Sequence, residues 1–115
     1  RDTDKGAYVF ACVTQAGQPA LEVLPELLES ATRSLTFPKT MRWGDGDFRF
    51  ARPVRWLVAL LGEDVIRVTI ADLEADRVTY GHRFLSGGPV ELGEPSEYLP
   101  ALEKAGVVAD YQRRR

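Results

Sequence analysis

The sequence predicts a single α+β domain in which two or three helices pack on a mostly antiparallel sheet. Segments of strand and helix character follow one another in the order strand, helix, loop, three strands and helix. Short connections between neighbouring strand segments favour antiparallel pairing, because parallel strands need a long crossover. The 115 residues, of which 44% are hydrophobic and 28% charged, are enough to build one core.

The first half of the chain predicts one strand, one helix and one long loop. Residues 7–14 (AYVFACVT) are rich in β-branched and aromatic side chains and read as a strand, in which Cys12 is a packing residue. Leucines at helical spacing then predict a helix that begins near Glu22 to Leu24, with Pro25 in its first turn, and that Pro38 ends. Residues 37–53 have no clear periodicity and predict an ordered loop with room for a helical turn at 39–43.

The second half predicts three strands and a short helix. Residues 54–61 are nearly all apolar, as in a strand buried on both faces, and residues 62–64 make a tight connection to a half-buried strand. Residues 77–85 alternate again and predict a further strand. The predicted inner faces of the last two strands carry Ile66, Val68 and Ile70, and Val78, Tyr80, His82 and Phe84. Residues 87–89 form a turn, and a helix over 97–105 follows with Gly106 just after its end.

Composition excludes several classes of protein. Fifteen Lys and Arg against seventeen Asp and Glu give a net charge of −2, so the chain is not a generic polyanion binder. One Cys and one His exclude an internal disulfide and a zinc site built from these residue types alone. No signal peptide or membrane-spanning run is apparent. Because the chain starts at Arg1 and ends in three arginines, we expect a domain cut from a longer cytoplasmic protein.

The predicted loop combines basic and aromatic side chains. Within seventeen residues it holds Lys39, Arg42, Arg49, Arg52 and Arg55, interleaved with Phe37, Trp43, Phe48, Phe50 and Trp56. Cations neutralise phosphates and aromatic faces stack on bases, so the mixture suits RNA. Two other interpretations stay open. The rings can be core plugs with the arginines paired to acids such as Asp45 and Asp47, or the basic patch can face an acidic partner protein.

No residue of the sequence qualifies as a catalytic group. His82 alone can act as a general base or bind a phosphate, but its strand face also suits a hydrogen-bonded core or rim histidine. Phosphate-binding loops, dinucleotide fingerprints and nucleophile elbows are all missing, and residues 44–47 lack the spacing of a calcium loop. We therefore expect no catalytic residue, no metal site and no cofactor in this chain.

Five stretches, in order and covering essentially the whole chain, resemble the beta subunit of the bacterial heterotetrameric glycyl-tRNA synthetase. They are TDKGA at 3–7, FPK with MRWG at 37–44, FARPVRWLV at 50–58, GHRF at 81–84 and VADY at 108–111. One such tetrapeptide would be weak evidence, whereas the series is specific. The resemblance places the chain toward the N-terminal part of the beta subunit, before its anticodon-binding region.

The resemblance implies a parent enzyme that joins glycine to tRNA(Gly) using ATP and Mg, with the active site on the alpha subunit of an α2β2 complex in the cytoplasm. It implies tRNA and the alpha subunit as partners, and no membrane. The residues expected to bind RNA or a partner are Lys39, Arg42, Trp43, Arg49, Arg52, Arg55, His82 and Arg83. Three roles stay open: tRNA binding or positioning, a structural role between subunits or domains, and hydrolytic editing with His82 activating water.

Overall fold

The computed structural model of the chain describes residues 2–3, 6–7, 9, 11–43 and 46–115. Within them the polypeptide forms two α-helices, one short 3-10 turn and eleven short strands. Of the strand pairings in this described part, five are antiparallel and one is parallel. The predicted α+β fold with mostly antiparallel pairing is confirmed.

The strands pair mainly with near neighbours along the chain. In chain order they are β1 (Asp2–Thr3), β2 (Gly6–Ala7), β3 (Met41–Arg42), β4 (Arg49–Phe50), β5 (Leu57–Val58), β6 (Leu60–Leu61), β7 (Asp64–Val65), β8 (Thr69–Ile70), β9 (Leu73–Asp76), β10 (Val78–Tyr80) and β11 (Pro89–Glu91). Strand β9 lies between β8 and β5 and pairs antiparallel with the first and parallel with the second. The other pairs are β1–β2, β3–β4, β6–β7 and β10–β11.

The strand predicted over residues 7–14 is wrong beyond Ala7. Of the rest of this stretch, the structure describes residues 9 and 11–14, which form neither strand nor helix and are exposed. A strand is stabilised by a hydrogen-bonded partner and by burial of alternate side chains, and here Val9 and Val13 stay in solvent. Cys12 is also exposed, which contradicts its expected packing role.

Helix α1 (Ala20–Ser34) begins earlier than the leucine spacing predicts and carries Pro25 in its interior. The carbonyl of Pro19 accepts hydrogen bonds from the amides of Glu22 and Val23, at 3.0 and 3.4 Å. The missing N–H of Pro25 leaves the carbonyl of Leu21 without its helical partner, and because Leu21 is exposed, water can replace that bond. Of the described helices, neither has the length and apolar content to cross a membrane.

The segment predicted as a loop with a helical turn is instead a hairpin of β3 and β4. Met41 lies opposite Phe50, and Arg42 lies opposite Arg49. Alternate residues of each strand therefore share a face, with Met41 and Phe50 on one side and Arg42 and Arg49 on the other. This short period-2 pattern is interrupted by the turn that contains Gly46 and Asp47, which is why the whole segment shows no periodicity.

The core contains the residues predicted to alternate inward. Ile66, Val68 and Ile70 are buried, which confirms the predicted alternation after the tight β6–β7 turn, but the predicted strand is interrupted at residues 66–68 between β7 and β8. Val68 and Ile70 pack with Ala75 of β9, and Leu28 of α1 packs against this cluster. The helix thus contacts the sheet through Leu28.

Strand β9 is absent from the predicted elements because its turn lacks glycine. Residues Ala71 and Asp72 connect β8 to β9 with φ values of 51° and 65°, the left-handed region in which hairpin turns usually place Asn or Gly. The strand predicted over 54–61 is also wrong in extent. It is divided at Ala59 into β5 and β6, and it is half-buried rather than buried on both faces.

The strand predicted over 77–85 ends at Tyr80, and its inner face is the opposite one. Thr79 is 2% exposed, whereas Tyr80 is 44% and Phe84 85% exposed. Thr79 lies opposite Val90 of β11 and its hydroxyl accepts the indole N–H of Trp56, so this face of the strand is covered, and the strand is followed by a turn at residues 83–85.

The predicted C-terminal helix is present. A 3-10 turn (Pro95–Glu97) leads into α2 (Tyr98–Lys104), whose Leu102 is buried. Gly106 follows with φ of 76°, a conformation that favours glycine after a helix end.

The ion pair between Glu103 and Arg113 is expected to contribute little to stability. The Arg113 guanidinium donates two hydrogen bonds to the carboxylate, at 2.7 and 2.8 Å, and these lower the pKa of Glu103. A lowered folded-state pKa adds stability above the unfolded pKa, and this is lost as the pH falls through the folded value. Because both side chains are more than half exposed, solvent screens the pair. We expect Glu103→Gln to leave the acid limb of the thermal-unfolding profile nearly superimposable on that of the wild type, whereas a large shift would contradict this.

Candidate functional site

A groove on the surface collects basic and aromatic side chains from two separate parts of the chain. Arg55 and Trp56 enter it from the segment just before β5. Tyr80, the last residue of β10, and His82 and Arg83 of the following turn form the other side. Its volume is about 320 Å3. We call it the basic groove, because no carboxylate is among the described residues that line it.

The aromatic pair of the basic groove is fixed on one side and open on the other. The ring centroids of Trp56 and Tyr80 are 4.9 Å apart, with 59° between the ring planes. The indole N–H of Trp56 donates to the hydroxyl of buried Thr79 at 3.3 Å. The two residues nevertheless remain 39% and 44% exposed. Large rings that are anchored but only partly buried are suited to contact a ligand.

The backbone of His82 is anchored to the end of α2 and to its own turn. Its N–H donates to the carbonyl of Ala105 at 2.8 Å, and its carbonyl accepts from the amides of Leu85 and Ser86 at 3.2 and 2.8 Å. Gly81 makes this close approach possible, because a Cβ at that position would lie 2.5 Å from the carbonyl oxygen of Ala105.

The imidazole of His82 is arranged as a donor toward the groove. Its Nδ1 accepts the backbone N–H of Phe84 at 3.2 Å. In the neutral ring this assigns the proton to Nε2, which then offers a donor rather than a lone pair. A general base needs that lone pair, so the arrangement favours contact with an acceptor such as a phosphate and disfavours water activation.

The β3–β4 hairpin forms a second basic surface. Arg42 and Arg49 lie directly opposite one another across the two strands, so their side chains leave the same face. Like charges in this position repel, and only Arg42 has a carboxylate nearby in the described part, Asp47 at 3.4 Å with full exposure. Asp45, the other acid expected to pair here, lies outside the described residues.

Trp43 belongs to the opposite, aromatic face of the hairpin. Its ring meets Phe48 edge-on at 5.8 Å, Phe48 stacks with Phe50 at 6.0 Å, and Phe50 meets Phe37 at 4.7 Å. Phe48 also packs against the Val68 cluster. These four rings support the packing interpretation, unlike Trp56, which lines the basic groove.

The structure therefore brings together only part of the predicted set. Arg55, His82 and Arg83 share the basic groove, and Arg42 and Arg49 share the hairpin face. Lys39 and Arg52 are exposed on either side of the hairpin. Among the described residues, no carboxylate forms an ion pair with Lys39, Arg49, Arg52, Arg55 or Arg83.

The predicted site omits Trp56 and Tyr80, which the groove includes. The alternation over 77–85 places Tyr80 on a buried strand face, and the loop composition groups Trp56 with the other rings. One feature of the sequence does point to these two residues. Trp56 directly follows Arg55, and Tyr80 lies two residues before His82, each at the end of an apolar segment. Only the packing of β5 near β10 shows that the two positions meet.

Comparison with known proteins gives one consistent result. A family model described as glycyl-tRNA synthetase beta subunit matches residues 1–115. The chain is 53% identical to the glycine–tRNA ligase beta subunit of Myxococcus xanthus over 98% of its length, and 50% identical to that of Moorella thermoacetica over 100%. The corresponding protein of Chromohalobacter salexigens is 45% identical over 99% of the chain. The chain spans 16% to 17% of the length of these relatives.

Proposed function

The chain belongs to the glycyl-tRNA synthetase beta subunit family, and from this premise we propose that it is a domain through which the beta subunit contacts tRNA. It carries no synthetic active site of its own. It binds or positions the tRNA and contributes to the organisation of an α2β2 complex. In this proposal residues 1–115 form one domain of a longer beta chain.

The parent enzyme in this proposal is a cytoplasmic glycine–tRNA ligase. Glycine, ATP and Mg are handled by the alpha subunit, and tRNA(Gly) is the substrate that both subunits share. Among the described residues, no group of three His, Cys, Asp or Glu side chains is placed to hold a metal ion. In this proposal the chain contributes binding surface to the complex.

The basic groove is the observation that carries the proposal. Its basic lining residues in the described part, Arg55, His82 and Arg83, are cationic or can donate hydrogen bonds, and the partly exposed rings of Trp56 and Tyr80 lie beside them. Guanidinium groups bind phosphate oxygens through paired N–H donors, and rings stack on bases. A chain of net charge −2 has no general attraction for polyanions, so a local cationic groove marks where an RNA contact is favourable.

Replacing Arg55 and Arg83 together by glutamine is expected to weaken tRNA binding by about tenfold near 0.15 M salt. Each lost phosphate contact reduces the slope of log K against log salt by about 0.7 to 0.9, so the pair reduces it by about 1.4 to 1.8. The measurement is tRNA affinity of the complex that contains the full-length beta chain, over a range of salt concentrations.

The matched control for this double variant is Arg67→Gln. Arg67 is also exposed, but it lines a different hollow together with Glu74 and Asp76. We expect its loss to leave tRNA affinity and salt slope within about twofold. Equal effects of the control and the double variant, or none from the double variant, would remove the support for a tRNA contact here.

Analytical ultracentrifugation of the same variants separates tRNA contact from a structural role. If the arginines brace the alpha subunit, the double variant loosens the assembly, and tRNA affinity falls only as a consequence. If they contact tRNA, the sedimentation of the RNA-free complex is unchanged.

A further inference from the structure

We propose that the basic groove holds one unpaired nucleotide of the RNA, with its base stacked on the Trp56–Tyr80 pair and its phosphate bound by Arg55 and Arg83. This inference rests on the proposed function and adds to it the kind of RNA segment that is bound. A duplex and a single-stranded segment offer different surfaces, and the groove suits the second.

The described lining of the basic groove is positively charged. No carboxylate is among its described lining residues, and neither arginine in it has a described acidic partner. Guanidinium groups without an acidic partner among the described residues favour an anionic ligand. A phosphate diester fits because it accepts several N–H donors at once, including Nε2 of His82.

The aromatic pair of the basic groove is partly exposed and can contact a base. The ring centroids of Trp56 and Tyr80 lie 4.9 Å apart and the ring planes are tilted by 59°, so the two rings do not stack face to face on each other. The hydrogen bond to Thr79 holds the indole in place before any ligand arrives. In a duplex the base faces are covered by neighbouring bases, and proteins contact its phosphates and 2′-hydroxyls instead. Exposed rings gain most from a base whose face is free.

The size of the basic groove also matches a single nucleotide. The groove has a volume of about 320 Å3, which is at the lower end of the range for small-molecule sites and admits a single nucleotide rather than a helix. An acidic segment of a protein would satisfy the arginines but would bring no flat face for the rings. A nucleotide uses both features of the same groove.

The test compares leucine with phenylalanine at the two ring positions, in the complex with the full-length beta chain. The probes are the tRNA(Gly) transcript, a short single-stranded oligonucleotide and a blunt duplex of the same sequence. We expect Trp56→Leu and Tyr80→Leu each to weaken binding of the first two probes by about tenfold, because stacking stabilises by about 1 to 3 kcal/mol per base. Duplex affinity and the salt slope should not change.

Phenylalanine at each position keeps a stacking face, so Trp56→Phe and Tyr80→Phe should stay within about threefold of the wild type. Trp56→Phe also loses the indole N–H bond to Thr79, so Tyr80→Phe is the cleaner of the two controls. If phenylalanine costs as much as leucine, the rings only support the groove, and the stacking proposal fails. An equal loss for the duplex also overturns it, as does release of the alpha subunit by the leucine variants.

The two proposals fail in different ways. Loss of RNA affinity in the Arg55 and Arg83 variant, with no change in the leucine variants, would leave the tRNA contact standing and refute the unpaired nucleotide. No change in either set would refute both. Thermal unfolding of every variant is measured beside binding, and affinities are compared at a temperature at which all the variants are folded.

Discussion

Gly81→Ala is expected to lower the free energy of unfolding by about 3 kcal/mol, at the upper end of the usual cost of overpacking. The added Cβ would lie 2.5 Å from the carbonyl oxygen of Ala105 and 2.8 Å from the Cβ of Ser86. One of these atoms is backbone, so rotation of a side chain cannot relieve the contact. The chain must separate from the end of α2, and the hydrogen bond from His82 to Ala105 is then lost.

The measurement is urea unfolding of the full-length protein, together with amide hydrogen exchange of the segment from Arg77 to Leu92. Gly87→Ala is the matched control, because no atom beyond its chain neighbours would lie within 4 Å of the added methyl group and Gly87 has no positive φ. We expect the control to be neutral. Similar losses for both glycines would show that Gly81 is not a point of close packing.

Leu92→Ala is expected to lower the free energy of unfolding by about 2 to 5 kcal/mol, as large-to-small changes at buried leucines do. Leu92 is 0% exposed and directly follows β11. Its backbone holds the hairpin, since its N–H donates to the carbonyl of Arg77 at 3.1 Å and its carbonyl accepts from the Arg77 guanidinium at 3.2 Å. Both bonds use backbone atoms of Leu92 and are kept with alanine, so the expected loss of unfolding free energy comes from the side chain alone.

Leu99→Ala in α2 provides the comparison for Leu92. Leu99 is about half exposed, so its truncation removes little buried area and should cost well under half as much. Both variants are measured by the same urea titration, with attention to whether the slope changes. If the two leucines cost the same, the packing around Leu92 is looser than its burial indicates.

Local sequence patterns predict those parts of the fold that are determined by residues close together in the sequence. The alternation of Ile66, Val68 and Ile70 predicts a half-buried segment, because each second side chain must point to the core. Pro100 and Gly106 similarly predict the two ends of the short helix α2. These features depend on neighbours along the chain, so they can be predicted without knowledge of the tertiary contacts.

The wrong predictions concern segments whose structure depends on contacts with residues distant in the sequence. The apolar stretch around Val13 has strand propensity but no partner among the described residues, and propensity alone does not bury it. Thr79 is covered by contact with Trp56 of a distant segment, which no pattern within 77–85 can reveal. Residue type alone predicts Arg55, His82 and Arg83 as binding residues, but their meeting in one groove depends on β5 and β10 lying close together.

The backbone hydrogen bonds of His82 also determine how the entropy of binding is divided. The segment from Gly81 to Ser86 is already fixed by bonds to Ala105 and within its own turn, so a ligand does not have to order it. The conformational freedom that binding removes then belongs mainly to the arginine side chains, at about 0.5 to 1.5 kcal/mol for each one immobilised. In the proposed complex, a preorganised wall with exposed arginine side chains can thus accept phosphates in slightly different positions without losing its shape.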